Sequence, residues 1–292
     1  MHTRLNAMMT QGLLFIAAGL AGSFVLAACS DTDRNLAEKG QTLAMVTEQQ
    51  LNNLNQHKFY FMHHSVGDDI IKGISILADE KLTPVNIMAL DGNAASLAIP
   101  ENGFAHARGG KNQFPMTKLA DFEKQIARFD PDNRPDIAFM KFCFVDFNPE
   151  TNVDELFANY TQTLDNLEKA YPDIRFIHIT APLKQRPSGW KDRLNRIMGR
   201  LVWEDASNRL REAYNQKIRN RYPAEQVFDL AKFESTAPDG SRVSQEQDGI
   251  TYYSLATEYT YDGGHLNDTG KRVMAAAMVD FFSKQLLSDD KH

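Results

Sequence analysis

The stretch Lys58-Phe-Tyr-Phe-Met-His-His-Ser65-Val-Gly67 decides the fold. Its first half is almost continuously apolar, and a short run of this kind is typical of a strand buried on both faces of a parallel sheet. The chain then passes a serine and enters an amphipathic pattern over 69–78, which predicts a helix. A strand that runs through a serine into a helix is the opening unit of an α/β domain.

Short apolar runs and amphipathic patterns alternate along the rest of the chain. The predicted strands are 59–63, 85–90, 136–144, 175–180 and 227–230. The predicted helices are 69–78, 116–129, 154–171, 190–222 in two pieces, and 269–287. This order predicts an α/β fold, a three-layer α/β/α sandwich with a central, mostly parallel five-stranded sheet. The segments 91–114 and 235–261 lie outside the pattern and are long enough to be functional loops.

The first residues predict an export signal rather than a part of the fold. Arg4 gives a basic start, and the apolar stretch 13–26 is short for a membrane span. The stretch ends in Leu26-Ala-Ala-Cys29, which resembles the bacterial lipobox. The resemblance implies a signal peptide over 1–28 and a lipid, such as palmitate, on Cys29. An ordinary secretory signal cleaved after Ala28 is the alternative.

A lipid on Cys29 would anchor the protein to a membrane of the bacterial cell envelope. Ser30, next to the cysteine, favours the outer membrane, with the protein facing the periplasm or the exterior. Residues 29–50 are then the lipidated cysteine and a polar tether, and 51–292 form a single domain large enough to bury a sizeable core.

Composition narrows the function classes. The formal net charge is −6 over 292 residues, and no run of five or more Lys and Arg occurs, so nucleic-acid binding is not expected. The only cysteines are Cys29 and Cys143, so lipidation of the first leaves no intrachain disulfide.

A second motif lies about two hundred residues after the serine, in Asp262-Gly-Gly-His265-Leu-Asn267. A carboxylate three residues before a histidine can bind the imidazole Nδ1–H and leave Nε2 free to take a proton from a serine. Ser65, His265 and Asp262 are therefore the predicted catalytic residues. The structural alternatives are a serine that caps a helix and a loop histidine beside a capping aspartate.

This layout resembles the SGNH, or GDSL-like, hydrolase superfamily, and the likeness spans 58–287. The resemblance implies an SGNH-like, flavodoxin-like hydrolase domain over 51–292, with the serine after the first strand and Asp-x-x-His before the last helix. The first family block reads Gly-Asp-Ser, whereas this chain has His63-His64-Ser65, so only the serine matches.

The resemblance also implies oxyanion-hole donors. Ser65 N–H is one, and a glycine after the second strand is another; Gly110 is the predicted glycine and Gly109 its competitor. The third block, Lys141-Phe-Cys143-Phe-Val-Asp146, lacks the family's asparagine, so Asn112 is the predicted replacement.

Other polar residues at the predicted strand ends complete the candidate site. His64, Lys141, Cys143 and Asp146 are candidates for a substrate pocket, and Lys141 with Asp146 is predicted to form an ion pair or to touch the substrate. No ligand spacing indicates a metal, so no metal and no cofactor are expected.

These features predict a serine esterase or deacylase of the cell envelope that acts on a small-molecule or polysaccharide O-acyl ester through an acyl-serine intermediate. The superfamily also includes lipases, so lipid esters are a second substrate class. Acyl transfer onto a glycan is a further alternative, because a sugar hydroxyl can intercept the same acyl-enzyme. A non-catalytic glycan-binding envelope lipoprotein on a hydrolase fold is the alternative from another class, and a metal-dependent hydrolase is a third.

Overall fold

The computed structural model describes residues 46–289. The predicted signal peptide 1–28, Cys29 and most of the predicted tether 29–50 lie outside this range. The strands in it are β1 (Lys58–His63), β2 (Ile87–Ala89), β3 (Gly103–Arg108), β4 (Ile137–Met140), β5 (Arg175–Ile179), β6 (Val227–Phe228), β7 (Ser244–Gln247) and β8 (Ile250–Tyr253). The first six form one sheet in the order β2-β3-β1-β4-β5-β6, with every pair parallel.

Helices cover both faces of this sheet. They are α1 (Glu48–Leu54), α2 (Val66–Glu80), α3 (Pro115–Ile126), α4 (Val153–Ala170), α5 (Trp190–Ile197), α6 (Trp203–Arg221), α7 (Leu230–Glu234) and α8 (Asp268–Asp289). Side chains from α1, α2, α7 and α8 pack with one face of β1, and those from α3, α4 and α6 pack with the other. The predicted α/β/α sandwich with a mostly parallel sheet is therefore confirmed.

The sheet has six strands rather than the predicted five. The additional strand, β3, lies within 91–114, which we expected to be a loop. Its sequence includes His106 and Arg108 beside its apolar residues, which weakens the apolar signal. Pairing with β1 on one side and β2 on the other makes this segment a strand, and neither pairing is visible in a local pattern.

Two other predicted segments differ in extent. The strand predicted over 136–144 ends at Met140, because the Asp146 carboxylate accepts a hydrogen bond from Cys143 N at 2.7 Å and caps a 3-10 turn over Phe144–Asp146. The predicted loop 235–261 contains the antiparallel hairpin β7–β8.

Helix α5 differs from the others in its burial. None of its side chains is buried, and Trp190, Leu194 and Ile197 are exposed although they lie on one helical face. Within residues 46–289, no helix is both long enough and apolar enough to cross a membrane.

The sheet brings the sequence motifs to one edge. Because the strands are parallel, the residues that follow β1, β3 and β4 all lie at its carboxyl edge, where ligands bind in open α/β sheets. The chain before α8 reaches the same edge, because Leu266 N donates a hydrogen bond to Asp69 Oδ2 in the first turn of α2 at 3.1 Å.

Candidate active site

Ser65 occupies a strained backbone position between β1 and α2. Its φ is 25° and its ψ is −82°, a conformation that costs a non-glycine residue about 1–3 kcal/mol. Its hydroxyl makes no capping hydrogen bond to the helix, so the capping alternative does not explain the serine. Gly67 permits the tight turn, because a Cβ there would lie only 2.4 Å from His63 Cβ. The hydroxyl is thus left free for another role.

Asp262 and His265 form the predicted carboxylate–imidazole pair. His265 Nδ1 lies 2.6 Å from Asp262 Oδ2, while Asp262 Oδ1 accepts hydrogen bonds from the backbone N–H groups of Gly264 and His265. Burial by itself would raise the pKa of Asp262, but the hydrogen bonds from His265 and Gly264 lower it to about 2. The carboxylate is therefore ionised at neutral pH and holds Nδ1 protonated, which leaves Nε2 as the basic nitrogen.

The segment 260–266, called the base loop below, is also held from outside. Thr260 Oγ1 donates to His265 O at 2.7 Å, and the Phe144 ring packs edge-on against the imidazole at 5.4 Å. Together with the bond from Leu266 to Asp69, these contacts fix the base loop against the first turn of α2, the helix that Ser65 precedes.

The segment 109–113, called the donor loop below, lies beside His64. His64 Nε2 is 2.8 Å from Gly109 O, so the residue before Ser65 contacts the first residue of the donor loop. Burial lowers the pKa of His64, so its imidazole is neutral at neutral pH and donates this hydrogen bond.

The expected glycine donor is not free. Gly110 N–H donates to Asp121 Oδ2 at 2.6 Å, and a Cβ at Gly110 would lie 2.6 Å from the backbone of Lys118, so this residue fastens the loop onto α3. Gly109 N–H has no hydrogen-bond partner in the described part of the chain. The prediction of Gly110 as an oxyanion donor is therefore wrong, and its competitor Gly109 has the free amide.

A buried ion pair orients Asn112. Lys118 Nζ lies 2.5 Å from Asp146 Oδ2 and 3.0 Å from Asn112 Oδ1, with both charged side chains almost completely buried. Because Oδ1 binds the ammonium, the amide nitrogen Nδ2 of Asn112 points away from it and remains available as a donor. Asn112 as the replacement donor stays a prediction, and the ion pair holds its amide group in one orientation.

The predicted pair of Lys141 with Asp146 is wrong, because Asp146 pairs with Lys118. Lys141, Cys143 and Asp146 are each 2% exposed or less, so their side chains are not presented to a substrate. Lys141 Nζ contacts Phe142 O at 3.4 Å and Cys143 Sγ at 3.9 Å. Of the four candidates for a substrate pocket, only His64 is partly exposed.

Other histidines near the edge have structural partners. His63 Nε2 lies 3.1 Å from His106 Nδ1 between β1 and β3, and burial lowers the pKa of His63 to about 2. Among residues 46–289, no cluster of three or more His, Cys, Asp and Glu could hold a metal ion.

Two positioning residues were missed by the sequence interpretation. Lys118 and Asp121 appear in the sequence only as ordinary charged positions of an amphipathic helix, and no local signal distinguishes them. Asp69 had a local explanation as a first-turn acid of α2, and its contact with Leu266, 197 residues away, depends on the fold.

A parallel α/β/α sandwich with a strand–serine–helix turn and an Asp–His pair at the same edge defines a class of hydrolase-like domains. The family model for GDSL-like Lipase/Acylhydrolase matches residues 66–278, and the chain belongs to this family. The match begins one residue after Ser65. No curated protein matches the chain.

Several solved structures are similar to this chain. A candidate platelet activating factor from Streptococcus pneumonia is 13% identical with a TM-score of 0.45, and the match covers 86% of this chain and 95% of that one. The periplasmic domain of a lipopolysaccharide acetyltransferase from Salmonella ser. Paratyphi A is 10% identical with a TM-score of 0.42, covering 88% and 98%. A peptidoglycan O-acetylesterase is 11% identical with a TM-score of 0.40, covering 64% and 48%.

Proposed function

We propose that this chain is a serine esterase that removes acyl groups from O-acyl esters, with carbohydrate esters of the cell envelope as the substrates. The observation that carries the proposal is the strained Ser65, whose hydroxyl caps nothing, at the edge that also holds the Asp262–His265 pair. Strain is retained at a site when function needs it. Membership of the acylhydrolase family supports the same reaction class.

In the first half of the reaction, Ser65 Oγ attacks the ester carbonyl carbon while His265 Nε2 takes the hydroxyl proton. Asp262 holds the imidazolium that forms. The carbonyl oxygen becomes an oxyanion, which accepts hydrogen bonds from Ser65 N–H, Gly109 N–H and Asn112 Nδ2. The intermediate collapses, the alcohol leaves with the proton from His265, and the acyl group remains on Ser65.

In the second half, water attacks the acyl-Ser65 carbonyl and His265 Nε2 takes a proton from the water. The same donors bind the oxyanion of the second tetrahedral intermediate. When this intermediate collapses, the acid is released and Ser65 regains its proton from His265. A sugar hydroxyl in place of water would give acyl transfer by the same steps.

A labelling experiment tests the nucleophile. Wild-type protein should react with a fluorophosphonate probe and hydrolyse p-nitrophenyl acetate, and Ser65→Ala should abolish both. Ser75→Ala is the matched control, because Ser75 lies on α2 and its hydroxyl donates only to Ile71 O. If the wild type is neither labelled nor active on any short acyl ester, the chain is not an esterase and the non-catalytic glycan-binding alternative gains support.

The location of the protein is a separate proposal. The lipobox-like end of the signal, Leu26-Ala-Ala-Cys29, supports a lipid anchor in the bacterial envelope. Cells that express the full chain should incorporate labelled palmitate into it, and Cys29→Ser should prevent this. Equal labelling of the Cys29→Ser variant would contradict the anchor.

A further inference from the structure

A cavity of about 430 Å³ lies between α5, α6 and the β7–β8 hairpin, outside the residues assigned to catalysis above. Four arginines line it: Arg186, Arg196, Arg200 and Arg209. Its carboxylates are Asp205 and Glu246, and Arg209 also pairs with Asp248 outside the lining at 3.3 Å, so one positive charge remains in excess. The whole chain has a net charge of −6, so this local excess runs against the overall balance.

Two of the arginines pair with one buried carboxylate, Asp205. Arg196 forms a two-pronged ion pair with Asp205 at 2.5 and 2.9 Å, and Arg186 Nε lies 3.5 Å from the same carboxylate. Arg186 Nε is buried and makes no hydrogen bond to any described residue. Asp205 thus neutralises one guanidinium, while Arg186 and Arg200 keep donors for a second anion.

The cavity continues toward the base loop. A neighbouring cavity of about 260 Å³ is lined by Arg186 as well as by Asp262 and Gly263. Gln185 N donates to Gly263 O at 2.8 Å, so the segment that carries Arg186 runs directly beside the base loop. A ligand extended along this surface would contact the arginines at one end and the base loop at the other.

We propose that the arginine-lined cavity binds an anionic group of the substrate, so that the enzyme acts on O-acylated acidic glycans. Guanidinium groups bind carboxylate and phosphate in a two-pronged geometry, and a cavity of this volume is in the range of small-ligand sites. The anion is a sugar carboxylate or a sugar phosphate. This inference rests on the esterase function proposed above.

A binding titration tests the cavity without catalysis. The chain has two tryptophans, Trp190 and Trp203, which flank Arg196 and Arg200, so their fluorescence reports on this region. In Ser65→Ala protein, glucuronate (for a carboxylate) or glucose 6-phosphate (for a phosphate) should change the fluorescence saturably, and glucose should not. Added salt should weaken the binding.

Variants assign the binding to the arginines. Arg186→Gln combined with Arg200→Gln should raise the Kd of the responding anion at least about tenfold. Arg272→Gln is the matched control, because Arg272 is as exposed as Arg186 and is also ion-paired, but lies on α8. Absence of any saturable anion response, equal weakening by the control variant, or a response to phosphatidylglycerol vesicles alone would overturn the proposal.

Turnover separates this proposal from the esterase function. Two substrates are compared: O-acetylated oligogalacturonide, which is charged, and its neutral methyl ester. In the wild type, kcat/KM on the charged substrate should be at least about ten times that on the methyl ester, and in the double arginine variant the two values should approach each other. Equal turnover of both substrates, with no anion binding, would overturn the cavity proposal and leave the esterase standing. Arginine-dependent anion binding in a chain that hydrolyses no ester would overturn the esterase function and leave the anion-binding cavity standing.

Discussion

The base loop and the donor loop face the same candidate site but are held in different ways. In the base loop, Asp262 accepts three hydrogen bonds, all from Gly264 and His265, two and three residues along the chain. The side chain of Asp262 is 42% exposed. The hydrogen bonds of the catalytic pair are therefore local, although the loop that carries the pair is fixed to α2 through Leu266 and Asp69.

The donor loop depends on a buried carboxylate instead. Asp146 accepts hydrogen bonds from Gln113 N at 2.9 Å and from Lys118 Nζ, which are 33 and 28 residues away, as well as from Cys143 N. Its side chain is 0% exposed. Replacing Lys118 or Asp146 should therefore affect stability and catalysis together, whereas replacing Asp262 should affect catalysis far more than stability.

The largest expected effect is on turnover when Asp262 is replaced by Asn. The amide oxygen can keep the two backbone hydrogen bonds, but the NH2 group would face His265 Nδ1 and favour the wrong tautomer. We expect kcat on p-nitrophenyl acetate to fall about 10⁴-fold, with an unchanged unfolding midpoint. Asp268→Asn is the control, since Asp268 also binds a partner three residues away but at the surface. A large loss of stability in Asp262→Asn would contradict the view that the Asp262–His265 pair is held by local hydrogen bonds.

Lys118→Met should lower the free energy of unfolding by about 3–5 kcal/mol, because it leaves Asp146 charged and unpaired in the interior. Adding Asp146→Asn should recover part of the loss. Chemical denaturation of both variants measures this effect. The control is Lys271→Met, which breaks the surface pair with Asp268 and should cost under about 1 kcal/mol. If Lys118→Met is as stable as the wild type, the donor loop does not depend on this pair.

Asn112→Ala removes the proposed amide donor and also one of the acceptors of the buried Lys118 ammonium, while the ion pair with Asp146 remains. We expect kcat to fall about 100- to 1,000-fold, the usual effect of losing one oxyanion donor, while KM changes little. Lys111→Ala, next to it and equally exposed, should behave like the wild type. Unchanged kcat in Asn112→Ala would mean that another group supplies the donor.

The last comparison is a pH dependence set by Glu234, a carboxylate with the opposite environment to Asp262. Burial raises the pKa of Glu234 to about 8, although Leu183 N donates to it. Because the folded pKa exceeds the ordinary value, the unfolded chain loses this proton first as pH rises. The contribution of Glu234 to stability is therefore fully present below about pH 4.5 and is lost by up to about 1.4 kcal/mol per pH unit toward pH 8.

Glu234→Gln should flatten that slope, as measured by denaturation between pH 5 and 8. Glu225→Gln, on the surface, serves as the control. An unchanged slope in Glu234→Gln would assign the pH dependence to another group.

The features that sequence patterns predicted are those with local causes. The Asp262–His265 pair follows from a three-residue spacing, and β1 and α2 follow from their own periodicity. Strand β3 could not be predicted in this way, because its neighbours in the sheet decide its conformation. The same reason explains the error at Gly110, whose amide is taken by Asp121 on α3, and the error of pairing Asp146 with Lys141 instead of Lys118.

Helix α5 has one further consequence. Since none of its side chains is buried, opening it exposes almost no additional apolar surface, and Arg196 with Asp205 is its main tie to the rest of the domain. The helix should therefore open far more often than the domain unfolds. In hydrogen exchange, the amides of Trp190–Ile197 should become deuterated within the earliest time points, and a protease should cut there first, while the sheet remains intact.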